Sequence, residues 1–313
     1  MRDLIARVPA SLAAMALGLV ALGILLEPFF APLHGACAAL ALLLVALVGA
    51  KAAACPAALR EELRQPGEAA LFAALPMALM LLAAGLPRWA VGAAFALWLA
   101  ATLGALALMG WLAWGAVRRH RLADALPTAF VGFGGVGVAA MTAPAFGLGA
   151  LGYGLFWGGF ACAVGSLVVV GVRCAVRPLA EERRPLACLY ALPMSVALVG
   201  YLTCCPTPDP LFVAVMLGLS QGLLALAAAP LPRIAGCSFS PLFAVMTFPF
   251  ALTALGLFQA LPFLEASGVA VPGALYLLAL AEAGFAAAMT LVVGACCARE
   301  VARAARPPIL TEP

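Results

Sequence analysis

Residues Pro241–Gln259 read PLFAVMTFPFALTALGLFQ, an uncharged stretch opened by one proline and interrupted by a second, Pro249, with Phe248 immediately before the interruption. Fifty-six residues earlier, PLACLYALP runs from Pro185 to Pro193 with the same proline–leucine start and the same eight-residue step to a second proline. The echo turns a series of hydrophobic segments into a repeat.

Composition sets the class. Hydrophobic residues make up 66% of the 313-residue chain and charged residues 10%, with a mean hydropathy of +1.14. Soluble domains carry roughly 25% charge, so this chain lacks a water-compatible surface and reads as a polytopic membrane protein. Runs such as ACAALALLLVALVGA do not alternate as barrel strands must. Helices are therefore expected, because their backbone groups are satisfied within one segment. Spans of about 20 apolar residues fall near 9–26, 34–54, 69–86, 89–117, 127–143, 147–172, 186–205, 210–231, 240–260 and 271–297. The stretch from Met1 to Arg7 leads into a full span without a convincing small-residue cleavage site, so no cleaved signal peptide is expected.

The charges agree with ten spans. With the amino terminus inside, every one of the 17 basic residues except Arg88 falls on the cytoplasmic side: Arg2 and Arg7; Lys51, Arg60 and Arg64; Arg118, Arg119 and Arg121; Arg173, Arg177, Arg183 and Arg184; Arg233; and Arg299, Arg303 and Arg306. Short loops obey the positive-inside rule, so both termini are expected in the cytoplasm. The net charge of +4 follows from this topology and carries no nucleic-acid meaning.

Each inner loop ends at or near a proline where the next odd-numbered span starts: Pro9, Pro66, Pro127, Pro185 and Pro241, at spacings of 57, 61, 58 and 56 residues. A near-constant period marks repeated units. The expected organisation is one transmembrane domain, 1–313, built from hairpins at about 9–54, 66–117, 127–173, 185–231 and 241–297. Odd spans carry interior breakers, namely Pro76, the cluster Gly132, Gly134, Gly135 and Gly137, then Pro193 and Pro249. Broken backbone is accepted in a membrane where protein packing or a water-filled cavity satisfies it. The odd helices are accordingly expected as an inner ring and the even ones as a lipid-facing sheath; kinks that serve packing alone remain the other reading.

The motif MTFP at Met246–Pro249, ALGLVALG at Ala16–Gly23, PTAF at Pro127–Phe130 and ALP at Ala191–Pro193 together resemble the tellurite-resistance/dicarboxylate transporter family, which includes the plant guard-cell slow-type anion channels. The resemblance spans nearly the whole chain in length, helix count and loop positions. It implies ten transmembrane helices as five hairpins in quasi-five-fold arrangement around a single central pore in each subunit, assembled as a homotrimer. It also implies that Phe248 takes the place of the pore-occluding phenylalanine. Ala14 and Ala16 replace the family's glycine–proline in the first helix, and Gly132 stands where a proline is common in the fifth. Alongside Phe248 as gate, the expected kink or pore-lining positions are Pro249, Thr247, Pro193, Ser195, Pro76, Gly132 and Gly135.

The five odd spans contain no Asp, Glu, Lys, Arg or His. An acidic ring that would favour cations is missing, as is a basic site for a multivalent anion. The hydroxyls of Ser11, Thr128, Thr142, Ser195, Thr203, Thr247 and Thr253 remain, with kinked backbone and helix N-termini whose partial positive charge favours anions. These weak donors suit a small monovalent anion. The helical stripe of Phe248 (Ala244, Val245, Ala251, Leu252 and Leu255) is apolar, as a dewetting constriction would be, although a packing or lipid-facing aromatic would look the same.

A gated channel for chloride- or nitrate-like anions is thus the expected function in a bacterial inner (cell) membrane, with the lipid bilayer and small inorganic anions as partners. The alternative is a proton-coupled or facilitated exporter of dicarboxylate, sulfite or tellurite-like oxyanions. Coupling normally needs a titratable group on the path, and the odd spans offer none. Glu282 is the only acid deep within a span; its place on the sheath suggests pairing with a backbone or hydroxyl partner. No catalytic constellation, nucleotide fingerprint or metal-ligand spacing is visible, so no enzyme activity, cofactor or metal is expected. Cys204 or Cys205 lies where an oxidising compartment permits a disulfide with Cys37, though nothing in the sequence requires one.

Overall fold

The computed structural model describes residues 9, 11–119, 125–234, 236 and 239–305, and these contain helices and no strand. Arg2, Arg7, His120, Arg121 and Arg306 lie outside the described residues. Ten apolar helices organise the chain: α1 (Leu12–Leu26), α2 (Ala31–Ala54), α3 (Ala74–Ala84), α4 (Val91–Arg119), α5 (Ala129–Thr142), α6 (Gly149–Val176), α7 (Leu192–Cys204), α8 (Pro210–Ala228), α9 (Phe248–Ala266) and α10 (Gly273–Ala305). Among the described residues, nine spans are long and apolar enough to cross a membrane; α1, with 15 residues, is the shorter tenth.

The odd helices close a ring. α1 packs on α3, α3 on α5, α5 on α7, α7 on α9, and α9 returns to α1. Every even helix leans on its own ring helix and on the next one round: α2 on α1 and α3, α4 on α3 and α5, α6 on α5 and α7, α8 on α7 and α9, α10 on α9 and α1. The sheath thereby covers the five seams of the ring. Burial separates the two layers: 61–78% of each long ring span is buried, against 22–33% for the sheath. A helix apolar all round belongs inside, and α1, uncharged and almost wholly buried, fits that rule. The sheath bares residues such as Leu42, Leu103, Val168, Leu211 and Leu291, as lipid contact allows.

Ring helices do not start as kinked continuous helices. A 3-10 segment, Glu181–Ala191, leads into α7, another, Pro241–Met246, leads into α9, and a short helix, Pro66–Phe72, gives way at Ala73 to α3. Pro76, Pro193 and Pro249 therefore sit in the first turn of a new helix rather than inside an old one. That is where proline's missing N–H has no intrahelical partner to lose. The loop prolines also differ from simple helix starts. Pro66 opens a helix and Pro241 a 3-10 segment, but Pro185 lies within one, and Pro127 sits in a turn two residues before α5.

Outside the ring core the turns follow local chemistry. Gly147 and Gly268 adopt φ of 76° and 81° in the α5–α6 and α9–α10 connections, a conformation glycine reaches without steric cost. Asp209 caps α8 by accepting from Phe212 N at 2.7 Å, as an N-cap carboxylate should. Buried Lys51 at the end of α2 pairs with Glu62 of the short helix Pro56–Leu63.

Candidate functional site

The site is built at the entry to α9. The 3-10 segment brings the chain to Thr247, whose Oγ1 donates to Ala244 O at 2.9 Å. Phe248 and Pro249 then form the first two residues of α9. Phe248 is fully buried. The neighbouring ring helix, α1, presents Gly18 to this turn so closely that a Cβ there would lie 2.1 Å from Thr247 Oγ1 and 3.2 Å from Phe248 N. No side chain fits between them. The turn that carries Phe248 rests directly on the backbone of α1.

The same register recurs around the ring. Gly18, Pro76, Gly134, Pro193 and Pro249 are spaced by 58, 58, 59 and 56 residues, and each follows a bulky apolar residue: Leu17, Leu75, Phe133, Leu192 and Phe248. The helix-breaking residue and the side chain before it thus form a five-fold repeated position. Around this level residues 11–23, 191–201 and 244–257 of three ring helices are buried, while Leu75 of α3 and Phe133 and Gly134 of α5 are half-buried.

The polar atoms expected along the bore are mostly committed to the fold. Thr142 Oγ1 accepts from Trp98 Nε1 of α4 at 2.8 Å and lies 2.7 Å from Val138 O. Thr203 donates to Val199 O. Ser195 Oγ meets Ala191 O, Thr253 Oγ1 and Ser220 Oγ. Ser11 Oγ, at the start of α1, is buried without a partner among the described residues. Gly132 and Gly135 face α4: a Cβ at Gly132 would meet Leu112 Cδ1 at 2.7 Å, and one at Gly135 would meet Ala105 Cβ at 3.0 Å. Pro193 lines a small cleft between α5, α6 and α7 with Phe133, Gly134 and Gly137, apart from Phe248. The structure therefore brings Thr247, Phe248 and Pro249 together with Gly18, and places Gly132 and Gly135 elsewhere on their helix.

The sequence profile of the voltage-dependent anion channel family (SLAC1) matches residues 7–299, nearly the whole ring and sheath. The chain belongs to that family. No curated protein matches it. As a SLAC1-family member, it is a multi-pass membrane protein and an anion channel or transporter of that family.

One sequence expectation changes, and one question the sequence left open is answered. Glu282 of α10 is buried, yet neither carboxyl oxygen finds a hydrogen-bond partner among the described residues. The amide of Gln221 on α8 approaches it without reaching hydrogen-bond geometry. Among the described residues the cysteines are free: Cys204 packs beside the backbone of α6 at Gly152 and Cys37 beside that of α1 at Gly23, so the two sit in different hairpins and form no disulfide. Gly18 and Ser220 escaped the sequence reading. Gly18 was legible in the 58-residue register, but Ser220, on a sheath helix, left no comparable mark.

Proposed function

We propose that this SLAC1-family protein is a gated channel for small monovalent anions such as chloride or nitrate, with a pore inside each subunit and Phe248 as the plug. The observation that carries this reading is the fully buried Phe248 at the head of α9, in a ring whose helices hold no charged or histidine side chain in residues 12–26, 74–84, 129–142, 192–204 and 248–264. Apolar constrictions block ions by dewetting, and a proton relay normally needs acidic, basic or histidine groups on the path, which these stretches lack. Helices α3, α7 and α9 start within their spans. Their N-terminal ends supply partial positive charge and so favour anions over cations. Pro76, Pro193 and Pro249 set these starts, and Thr247 and Ser195 shape the turns beside them.

The chain is read as one transmembrane domain of five hairpin repeats, trimeric, in a bacterial inner membrane with both termini in the cytoplasm. The second reading, a proton-coupled or facilitated exporter of dicarboxylate, sulfite or tellurite-like oxyanions, is favoured by Glu282, buried with no hydrogen-bond partner among the described residues. Currents from purified protein in a planar bilayer, taken under chloride, nitrate and malate in turn, test the proposal. Reversal potentials that track the chloride or nitrate gradient support it. Uphill anion movement driven by an imposed proton gradient overturns it in favour of the exporter.

A further inference from the structure

Three hydroxyls meet where α7, α8 and α9 touch. Ser195 Oγ lies 2.8 Å from Thr253 Oγ1 and 2.9 Å from Ser220 Oγ, and none of the three residues is more than 1% exposed. Their carbonyl partners belong to the helix starts. Ser195 meets Ala191 O, the residue before α7, while Thr253 Oγ1 lies 2.9 Å from Pro249 O and 3.5 Å from Ala191 O. Each hydroxyl owns one proton and two acceptor sites, so these contacts form a linked set rather than three separate bonds. A hydroxyl that only donates back to its own i−4 carbonyl joins nothing. The Ser195–Thr253 and Ser195–Ser220 contacts cross between helices. In apolar surroundings, parting them leaves polar groups unpaired, which resists sliding of α9 against α7.

We propose that Ser195, Thr253 and Ser220 form a latch that positions the first turn of α9, and with it Phe248, in the closed state; the proposal rests on Phe248 being the plug. Thr253 grips Pro249 O, the carbonyl next to Phe248, and passes the constraint to α7 and the sheath through Ser195. The anion does not touch the cluster. These are positioning residues, and opening requires α9 to part from Ser195.

Anion efflux from liposomes holding full-length protein tests the latch. Thr253→Val keeps the side-chain shape and removes the hydroxyl; Pro249 O keeps the backbone N–H of its own helix. The loss of a cross-helix hydrogen bond shifts the closed–open balance by roughly two- to tenfold, so basal efflux rises by that factor. Thr253→Ser restores the hydroxyl and returns efflux to the wild-type level. Ser195→Ala raises efflux comparably, and combining it with Thr253→Val adds little, because both remove the same contact. In a Phe248→Ala background, Thr253→Val changes nothing further. Unchanged efflux in both Thr253→Val and Ser195→Ala, with Phe248→Ala strongly active, overturns the latch and leaves the plug intact. An inactive Phe248→Ala fails the plug reading itself. Equal stimulation by Thr253→Val with and without Phe248 also overturns the latch, since the hydroxyls would then act on the bore directly. Should Thr253→Val assemble poorly, Ser195→Ala and the Thr253→Ser control decide the outcome alone.

Discussion

Truncating Phe248 to alanine separates plug from core. The ring is fully buried and belongs to the main hydrophobic cluster, so its removal costs on the order of 3–5 kcal/mol of contacts in the closed form. If the open form lacks those contacts, the same free energy leaves the closed–open balance. That shift amounts to roughly a hundredfold to several thousandfold. Even an open form that keeps half of the smaller value gives a shift of about tenfold. The expected result is anion efflux raised at least about tenfold, read in liposomes and confirmed as single-channel openings, with a lowered melting temperature in detergent. Phe250→Ala is the internal control. Phe250 is equally buried but packs edge-on to Phe285 of α10, with ring centroids 5.0 Å apart. Its loss should cost a similar 3–5 kcal/mol and leave efflux at the basal level. If Phe248→Ala only destabilises, as Phe250→Ala does, Phe248 is a core residue and the plug is refuted.

Gly18→Ala places a methyl 2.1 Å from Thr247 Oγ1, and the Phe248 turn must yield at a cost of roughly 1–3 kcal/mol; raised basal efflux with a lowered melting temperature is expected, and wild-type values for both would show that α1 does not seat the turn. Glu282→Gln removes an ionisable group that has no hydrogen-bond partner among the described residues, so chloride currents should be unchanged, whereas abolition of a proton-driven flux would place the carboxyl on the transport path. Trp98→Phe breaks the 2.8 Å bond to Thr142 that joins α4 to α5, which should lower the melting temperature through the loss of about 1 kcal/mol while conduction stays intact.

The sequence carried the architecture because membrane constraints are coarse. Span length, loop charge and the proline period each register in residue type, and the alternation of broken odd helices with unbroken even ones foretold which layer is inner. What it hid was local. Pro193 and Pro249 signal a break, but not that the preceding stretches, Glu181–Ala191 and Pro241–Met246, wind as 3-10 segments, since a proline alone fits a kink or a start equally well. Hydroxyl positions were visible, yet their partners depend on which way each helix is turned. Ser195 and Thr253 read as bore donors, but in the fold they bond to each other, and Ser195 also reaches Ser220 of α8. Gly132 and Gly135 stand out as breakers, although their faces meet α4, and nothing in the residue types of ALGLVALG marks Gly18 as the position that meets Thr247.

Hydrophobic matching falls unevenly on the two layers. At 1.5 Å per residue, the 15 residues of α1 extend about 22 Å, short of the roughly 30 Å hydrocarbon thickness of a bilayer. A helix facing lipid at that length would thin the membrane or draw in its flanks. Enclosed by α2, α3, α9 and α10, α1 meets protein instead and owes the bilayer nothing. The sheath alone must fit the membrane, with α4, α6 and α10 at 29, 28 and 33 residues long enough to tilt or project. The inner helices are thus free to be short, broken and unevenly wound, and a bilayer of different thickness would act first on the tilt of the sheath, reaching the ring only through the seams that each outer helix spans.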